Sequence, residues 1–403
     1  MTEADRRDGT ATRWATAALT AGALLLGRTT SAEAAPPAAQ HGCGTHAGTR
    51  HGLERLVQSY DLPGVSIQID DPKCGRWFGT SGVADIDSGR IMRADDRIRI
   101  GSVTKTFTAT VVLQLAAEGR LSLDAPIDRY VPGLINRNGY DGRRITVRQL
   151  LQHTSGLADH TDSPTFDDFS TWRFRHFAPH QLVNLALDML HPTTTWSYST
   201  TNYIVAGMIV DRVTGHSIES EVARRIIRPL GLRDTYWPGD STRIRGPHPR
   251  GYDPRTNGGK VRQVDVTALN TTFGGAGGAL ISTTGDMNTF FGALLGGRLL
   301  PKAQLKDMER TVKADPDRVW PGARYGLGLI TTPLRCGGTW TGHAGSIPGF
   351  RALDGESSAG RRVAIAANAL PSSLAGEKAF RNLVQTAFCE NAAPTDTTTI
   401  GEN

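Results

Sequence analysis

Ser102-Val103-Thr104-Lys105 sets a hydroxyl and an amine three residues apart, a spacing that brings both side chains to one face of a helix. A serine hydroxyl is a poor nucleophile at its own pKa and needs an adjacent base. A lysine whose ammonium is desolvated supplies one, as a neutral amine near neutral pH. At a helix start, Ser102 also offers its backbone N–H and the positive end of the dipole to a developing oxyanion. The plainer reading is a serine cap followed by a solvated lysine. Against it, a capping box wants Glu or Gln where Lys105 stands. No other lysine of the chain has a serine three residues before it, and Ile98, Ile100 and Phe107 surround the pair with apolar side chains.

Two further segments carry groups suited to the same chemistry. Tyr198 lies in Trp196-Ser197-Tyr198-Ser199-Thr200-Thr201-Asn202-Tyr203, just ahead of a helical pattern. A phenol beside a lysine can have its pKa lowered and shuttle a proton between nucleophile and leaving group. A tyrosine standing alone is more often ordinary core or surface. His343-Ala344-Gly345-Ser346 precedes Pro348 and reads as an edge strand beside a cleft. There a backbone N–H completes an oxyanion hole and Gly345 lets a substrate strand lie close. The tripeptide alone is weak evidence, since His46-Ala47-Gly48 repeats it.

The elements that must position these residues follow from periodicity. Pro63-Gly64 followed by Val65 to Ile69 alternates apolar and polar as a half-buried strand does, and Trp77 to Val83 can pair with it. From Ser102 the pattern turns helical, with Val103, Phe107, Val111 and Leu115 in an amphipathic stripe that ends at Gly119. Thr146 and Gln149 form a capping box ahead of a helix that stops at Ser155-Gly156. Helices follow over about 180–190, 202–214 and 217–228. Residues 237–265, crowded with Pro, Gly and Arg, read as an extended surface loop. Gly-rich Phe273 to Ser282, a helix over 286–295, three strand-like runs near 325–331, 348–354 and 362–369, and a helix over 379–388 complete the chain. Strands at both ends with helices between them predict an α+β fold: an antiparallel sheet flanked by helices, with an inserted, mostly helical domain. The expected divisions are a signal peptide over 1–34, a sheet domain from 35–105 and 266–390, a helical domain over 106–265, and a flexible tail over 391–403. Within the sheet domain, 36–50 reads as a flexible lead-in and packing starts near His51.

Composition narrows the setting. With 38% hydrophobic and 21% charged residues in 403, the chain is ordinary globular material. Arg6, Arg7 and Arg13 precede an apolar run from Trp14 to Gly27, and Ala32-Glu33-Ala34 supplies a cleavage site, which predicts secretion. Fourteen residues are too few to cross a membrane as a helix, and no later stretch is apolar enough, so no membrane span is expected. Cys43, Cys74, Cys336 and Cys389 all follow the leader. In an oxidising compartment three connectivities exist, and proximity favours Cys43 with Cys74 and Cys336 with Cys389. Free thiols or a metal site are the alternatives, but the sequence has neither a Cys-x-x-Cys pair nor a His-Glu-x-x-His helix. The net charge of +6 is dispersed, with no aromatic-studded basic strand. This favours a polyanionic cell envelope as neighbour over nucleic acid.

Ser102 to Lys105, Tyr198, and His343 to Gly345, in that order, resemble the three active-site motifs of the serine penicillin-recognising hydrolases, the class C-type β-lactamases and secreted D-alanyl-D-alanine carboxypeptidases. Arg99 to Ser102, Leu113 to Leu123, Ile145 to Leu157, Gly274 to Ser282 and Tyr325 to Leu329 also look like that family, and the similarity spans roughly residues 55–389. The resemblance implies an acyl-enzyme cycle without metal or organic cofactor. Ser102 would attack a carbonyl, Lys105 and Tyr198 would move protons, and the N–H groups of Ser102 and Ser346 would bind the oxyanion. Thr200, Phe273, His343, Ala344, Gly345 and Ser346 would contact a peptide, amide or ester substrate. β-Lactams would act as inhibitors or substrates, and a disulfide like Cys336 with Cys389 would be shared.

Three positions depart from the family pattern. Thr200 stands where an Asn is usual, with Asn202 a candidate substitute. Ala344 replaces a Thr, removing a hydroxyl from the carboxylate pocket. Ile330 occupies the place of an Arg that holds a substrate carboxylate, with His343 and Arg335 as candidate replacements. The leading expectation is a D-alanyl-D-alanine carboxypeptidase-like enzyme acting on cell-wall peptides. An esterase, D-amino-acid amidase or β-lactamase of the same fold, or a penicillin- or peptidoglycan-binding protein without turnover, are the alternatives. No Gly-x-Ser-x-Gly elbow occurs to suggest an α/β-hydrolase.

Overall fold

Alternation along Val65, Ile67 and Ile69 does produce a strand, Gly64–Asp71, and it sits near one edge of an antiparallel sheet. The computed structural model describes residues 43–189, 195–257 and 260–391. Within them the sheet has eight strands in the spatial order Gly75–Gly82, Gly64–Asp71, Arg362–Ala367, Phe350–Ser357, Thr339–Ile347, Ile330–Pro333, Arg324–Tyr325 and Val312–Lys313. Chain ends distant in sequence are thus joined edge to edge, with Ile67 opposite Ile365. The result is an α+β fold of the β-lactamase/transpeptidase-like kind, an antiparallel sheet flanked by helices.

The period of two divides the core between the two faces. Val65, Ile67, Ile69, Val363 and Ile365 point to a layer made by the helices Ala47–Tyr60 and Leu374–Cys389. Ala364, Ala366 and Phe350 point the other way, into a larger core shared with the helices Thr284–Leu295, Thr104–Ala117 and Thr201–Thr214. In the first layer Glu390, from the end of the chain, accepts hydrogen bonds from Gly48 N at 2.7 Å and Thr49 N at 3.1 Å. It thereby supplies the anion that the start of Ala47–Tyr60 lacks in its own sequence. The flexible lead-in expected up to residue 50 is corrected accordingly: Ala47 already begins a helix, and the Cys43–Cys74 disulfide ties its approach to the sheet. The second disulfide joins Cys336 to Cys389.

Other expectations also change. The helix after Ser102 is buried on nearly every side and is not amphipathic. Its threonines remain compatible with burial because their hydroxyls donate to carbonyls, Thr106 to Gly328 O at 2.8 Å and Thr108 to Ala276 O at 2.7 Å. The loop expected over 237–265 contains an antiparallel hairpin, Tyr252–Asn257 with Lys260–Asp265. Pro254 lies within its first strand, opposite Gln263, and does not prevent pairing in a short two-stranded ladder. The capping box at Thr146 and Gln149 forms, but its helix ends at Gln152 and His153 closes it in the left-handed conformation. The leader predicted over 1–34 and the tail beyond Asn391 lie outside the described residues. Among the described residues no helix is long and apolar enough to cross a membrane.

Candidate active site

A short ladder fixes the approach to Ser102. Ile98–Arg99 pairs with Ile281–Ser282, and Ile100 N donates to Leu280 O at 3.0 Å. Leu280 N in turn donates to Thr104 Oγ1 at 3.1 Å. This lacing holds the glycine-rich segment Gly274 to Gly278 against the first turns of the Ser102 helix. The chain turns at Gly101 with φ +50°, a conformation that favours glycine, and Ser102 sits in a 3-10 turn that runs directly into Thr104–Ala117.

Lys105 is completely buried one turn on, with Nζ 3.0 Å from Ser102 Oγ, 2.9 Å from Gly277 O and 3.5 Å from Thr200 Oγ1. Burial lowers its pKa from 10.5 to about 7, with the carboxylate of Asp159 opposing the shift. A neutral amine in this position donates its two N–H bonds to Gly277 O and Thr200 Oγ1, leaving the lone pair for the Ser102 hydroxyl. Gly277 must be glycine for this, since a Cβ there would meet Thr200 Cγ2 at 2.8 Å and Lys105 Nζ at 3.3 Å.

The Tyr198 phenol lines the cleft with Ser102, and its ring centroid lies 4.9 Å from Lys105 Nζ. The expectation of a lowered phenol pKa is corrected: burial outweighs the influence of the Ser102 hydroxyl and pushes the phenol well above its usual value. The arrangement suits a neutral Tyr198 that passes a proton through its hydroxyl rather than a standing phenolate.

The strand Thr339–Ile347 carries the third segment, and periodicity alone missed it because glycines and polar residues interrupt its apolar pattern. It pairs with Phe350–Ser357 along its length but with Ile330–Pro333 only through Gly342. His343 to Ile347 therefore form a local edge within an interior strand. That edge lies on the Ser102 backbone: a Cβ on Gly345 would meet Ile100 O at 1.9 Å and Ser102 N at 3.1 Å. The backbone N–H groups of Ser102 and Ser346 thus belong to adjoining segments at one end of the cleft, the arrangement an oxyanion requires.

His343 lines the cleft, but its ring nitrogens are engaged by the protein itself. It is buried, its Nδ1 donating to Ala344 O at 2.6 Å and its Nε2 accepting from the Tyr325 hydroxyl at 2.9 Å. Tyr325 accepts from His153 Nε2 at 3.2 Å, and His153 Nδ1 accepts from Ser199 N at 3.2 Å and Asn202 Nδ2 at 3.1 Å. The donors at Ser199 and Asn202 leave His153 one tautomer, so every proton in the chain has one place. Burial holds both imidazoles neutral, His343 at about 3 and His153 well below its usual value. Sequence reasoning noted His153 and Tyr325 only as family-like stretches and missed this network. It links the segment just after Tyr198 to the Gly345 strand and so positions both parts of the cleft lining. A Tyr325→Phe variant strands the His153 N–H in the interior and is expected to lose about 1–3 kcal/mol of folding free energy by chemical denaturation.

Asn202, the candidate substitute for the missing Asn, is taken up by this network and by a 2.5 Å bond from Ser155 Oγ, so it does not reach the cleft. Thr200 does, and its hydroxyl donates to Asp159 Oδ2 at 3.2 Å. Arg335 is likewise no replacement clamp: its guanidinium bonds Thr386 on the last helix. Arg351 lines the cleft instead, held by Ser346 Oγ and by Glu377 at 2.9 Å. The cleft encloses about 370 Å³, and Ser102, Tyr198, Thr200, Ala344 and Ser346 line it. Phe273, Val319, Trp320 and Ile330 form an apolar wall. Among the described residues no group of three or more His, Cys, Asp or Glu is placed to hold a metal ion.

This sheet, with a Ser-x-x-Lys pair beneath a cleft, defines a serine hydrolase of the β-lactamase/transpeptidase-like class. The chain belongs to the beta-lactamase family, whose model matches residues 50–387. It is similar to a D-stereospecific amidohydrolase from Streptomyces sp., with 39% identity and a TM-score of 0.78 over 87% of this chain and 100% of that one. It is also similar to the D-amino acid amidase from Ochrobactrum anthropi SV3, solved with L-phenylalanine amide, with 27% identity and a TM-score of 0.70 over 84% and 96% of the two chains. Esterase EstB of Burkholderia gladioli is 35% identical over 172 residues, 38% of this chain and 41% of that protein. The chain spans about half the length of the curated relatives it matches.

Proposed function

We propose that this protein is an exported serine amidohydrolase that cleaves amides or esters of D-configured amino acids through an acyl-enzyme on Ser102. The observation that carries the reading is the buried Lys105 amine 3.0 Å from Ser102 Oγ at the base of the cleft. Lys105 takes the Ser102 proton as the hydroxyl attacks the carbonyl carbon, and the N–H groups of Ser102 and Ser346 stabilise the oxyanion. Tyr198 relays the proton to the leaving nitrogen or oxygen, and water then releases the acid by the same route in reverse. Similarity across the full length of a D-stereospecific amidohydrolase supports the D-amino-acid class. The apolar wall of Phe273, Trp320 and Ile330 supports a bulky apolar side chain and an uncharged leaving group. Two disulfides support an oxidising, extracytoplasmic compartment.

D-Alanyl-D-alanine carboxypeptidase activity is the second reading, and Arg351 in the cleft wall is what favours it, as a cation within reach of a terminal carboxylate. Relative kcat/KM for D-phenylalanine amide, a short-chain ester and a D-Ala-D-Ala peptide separates the two. The amide and ester are expected to exceed the peptide by at least tenfold, and the reverse order makes the carboxypeptidase reading the better one.

A further inference from the structure

On the side of Ser102 where Thr200 and Asp159 stand, these two residues present acceptors to the cleft. Thr200 has one hydroxyl proton and spends it on Asp159 Oδ2 at 3.2 Å, and with Lys105 Nζ donating to its oxygen at 3.5 Å, one lone pair remains. Asp159 accepts a second bond from Thr161 N at 3.2 Å, and each carboxylate oxygen keeps a free lone pair. Asp159 is 9% exposed, on the wall of the cleft. Among the described residues no Lys or Arg lies within ion-pairing distance of it. Arg318 pairs with Asp162 at 3.6 Å, and Lys105 is held by Ser102 and Gly277. His160, 3.9 Å away, supplies no charge. Its Nε2 donates to Phe273 O at 2.9 Å, its Nδ1 is bonded to Thr201 Oγ1, and burial lowers its pKa.

A nearly buried carboxylate without a cation is costly unless a ligand supplies one. Thr200 Oγ1 is 3.5 Å from the Lys105 nitrogen that in turn contacts Ser102 Oγ. Asp159 is therefore joined to the Ser102 hydroxyl through Thr200 and Lys105, on the wall of the same cleft. An α-ammonium brings a positive charge and three N–H donors, whereas an acylated nitrogen is uncharged and brings a carbonyl that neither Thr200 nor Asp159, as acceptors, can meet. We infer that Asp159, with Thr200, is the receptor for a free α-ammonium group, which restricts the substrates to amides and esters of unblocked amino acids or to peptides cleaved after their first residue.

The inference rests on the amidohydrolase reading for its substrate but not for its test. The expected wild-type preference for D-phenylalanine amide over N-acetyl-D-phenylalanine amide is at least about 100-fold in kcat/KM, because unpaired buried polar groups penalise the wrong partner heavily. Asp159→Asn keeps an acceptor for Thr200 and is expected to bring that ratio below about tenfold. Loss of the carboxylate also shifts Lys105, but it does so for both substrates and leaves the ratio untouched. A purely positioning role for Asp159 lowers both rates alike and overturns the inference, as does a wild type without the preference.

Protection of Ser102 from a fluorophosphonate probe by each amide gives the same comparison without turnover. If neither amide is hydrolysed, the amidohydrolase reading fails. Selective protection by the free amine, lost in Asp159→Asn, still supports the receptor, and equal protection by both amides overturns it. Labelling of the variant itself establishes that it is folded.

Discussion

A Ser102→Ala variant is expected to lose both hydrolysis and covalent labelling, with kcat falling by roughly ten-thousand- to million-fold, as when an activated nucleophile is removed from an intact site. The fold should survive, because Ser102 contributes one hydroxyl to a region anchored by the Ile98–Arg99 ladder and the Leu280 to Thr104 bond. Intact-protein mass spectrometry after exposure to penicillin or a fluorophosphonate reads the result directly. Wild-type protein should gain one adduct, mapped by peptide digestion to Ser102, and the variant none. An adduct of equal stoichiometry on the variant would move the nucleophile elsewhere and remove the basis of the acyl-enzyme scheme.

The second large effect belongs to Lys105. With its pKa lowered to about 7 by burial, the base is neutral above that pH and protonated below it. The kcat/KM for an uncharged ester is expected to reach a plateau above pH 7 and to fall about tenfold per pH unit on the acid side. Lys105→Ala should abolish that limb and lower kcat/KM by roughly 10²- to 10⁴-fold. Folding carries a second signature of the same shift, in a higher pH window. Between about pH 7 and 10.5 the unfolded lysine holds a proton that the folded one lacks, so this group's contribution to stability rises with pH across that window. A plateau that begins near pH 10 would mean that the amine is not desolvated, and the proposed base would be lost with it.

Legibility differed from element to element. Val65 to Ile69, the capping box at Thr146 and the helix ended by Gly215 could be read locally, because alternation, caps and left-handed glycines act within a few residues. Thr339–Ile347 was legible only in part. His343 to Ser346 read as an edge strand, but periodicity did not mark the strand's full length, since its polar and glycine content reflects what lies against it: Gly345 faces Ile100 and Gly342 faces Asp354. The helix Ala47–Tyr60 was hidden for a related reason. Its N-terminus is completed by Glu390 from the other end of the chain, which no local pattern reports. Asp159 escaped notice because its significance depends on Thr200, 41 residues away, and on the absence of a cationic neighbour among the described residues.

By itself the sequence determined the chemistry on offer: a serine and a lysine one helical turn apart, a tyrosine before a helix, a glycine-bearing strand, four cysteines in two proximal pairs, and the order in which they occur. Residue type and short-range spacing suffice for that, because helix geometry sets the i, i+3 distance. Only the tertiary structure decided how those groups are biased. Burial lowers the Lys105 pKa and raises that of Tyr198, Tyr325 fixes the orientation of the His343 ring in the cleft wall, and Thr200 meets a carboxylate beside the nucleophile. Desolvation and hydrogen-bond direction are properties of surroundings drawn from distant parts of the chain, and they exist only once those parts are packed together.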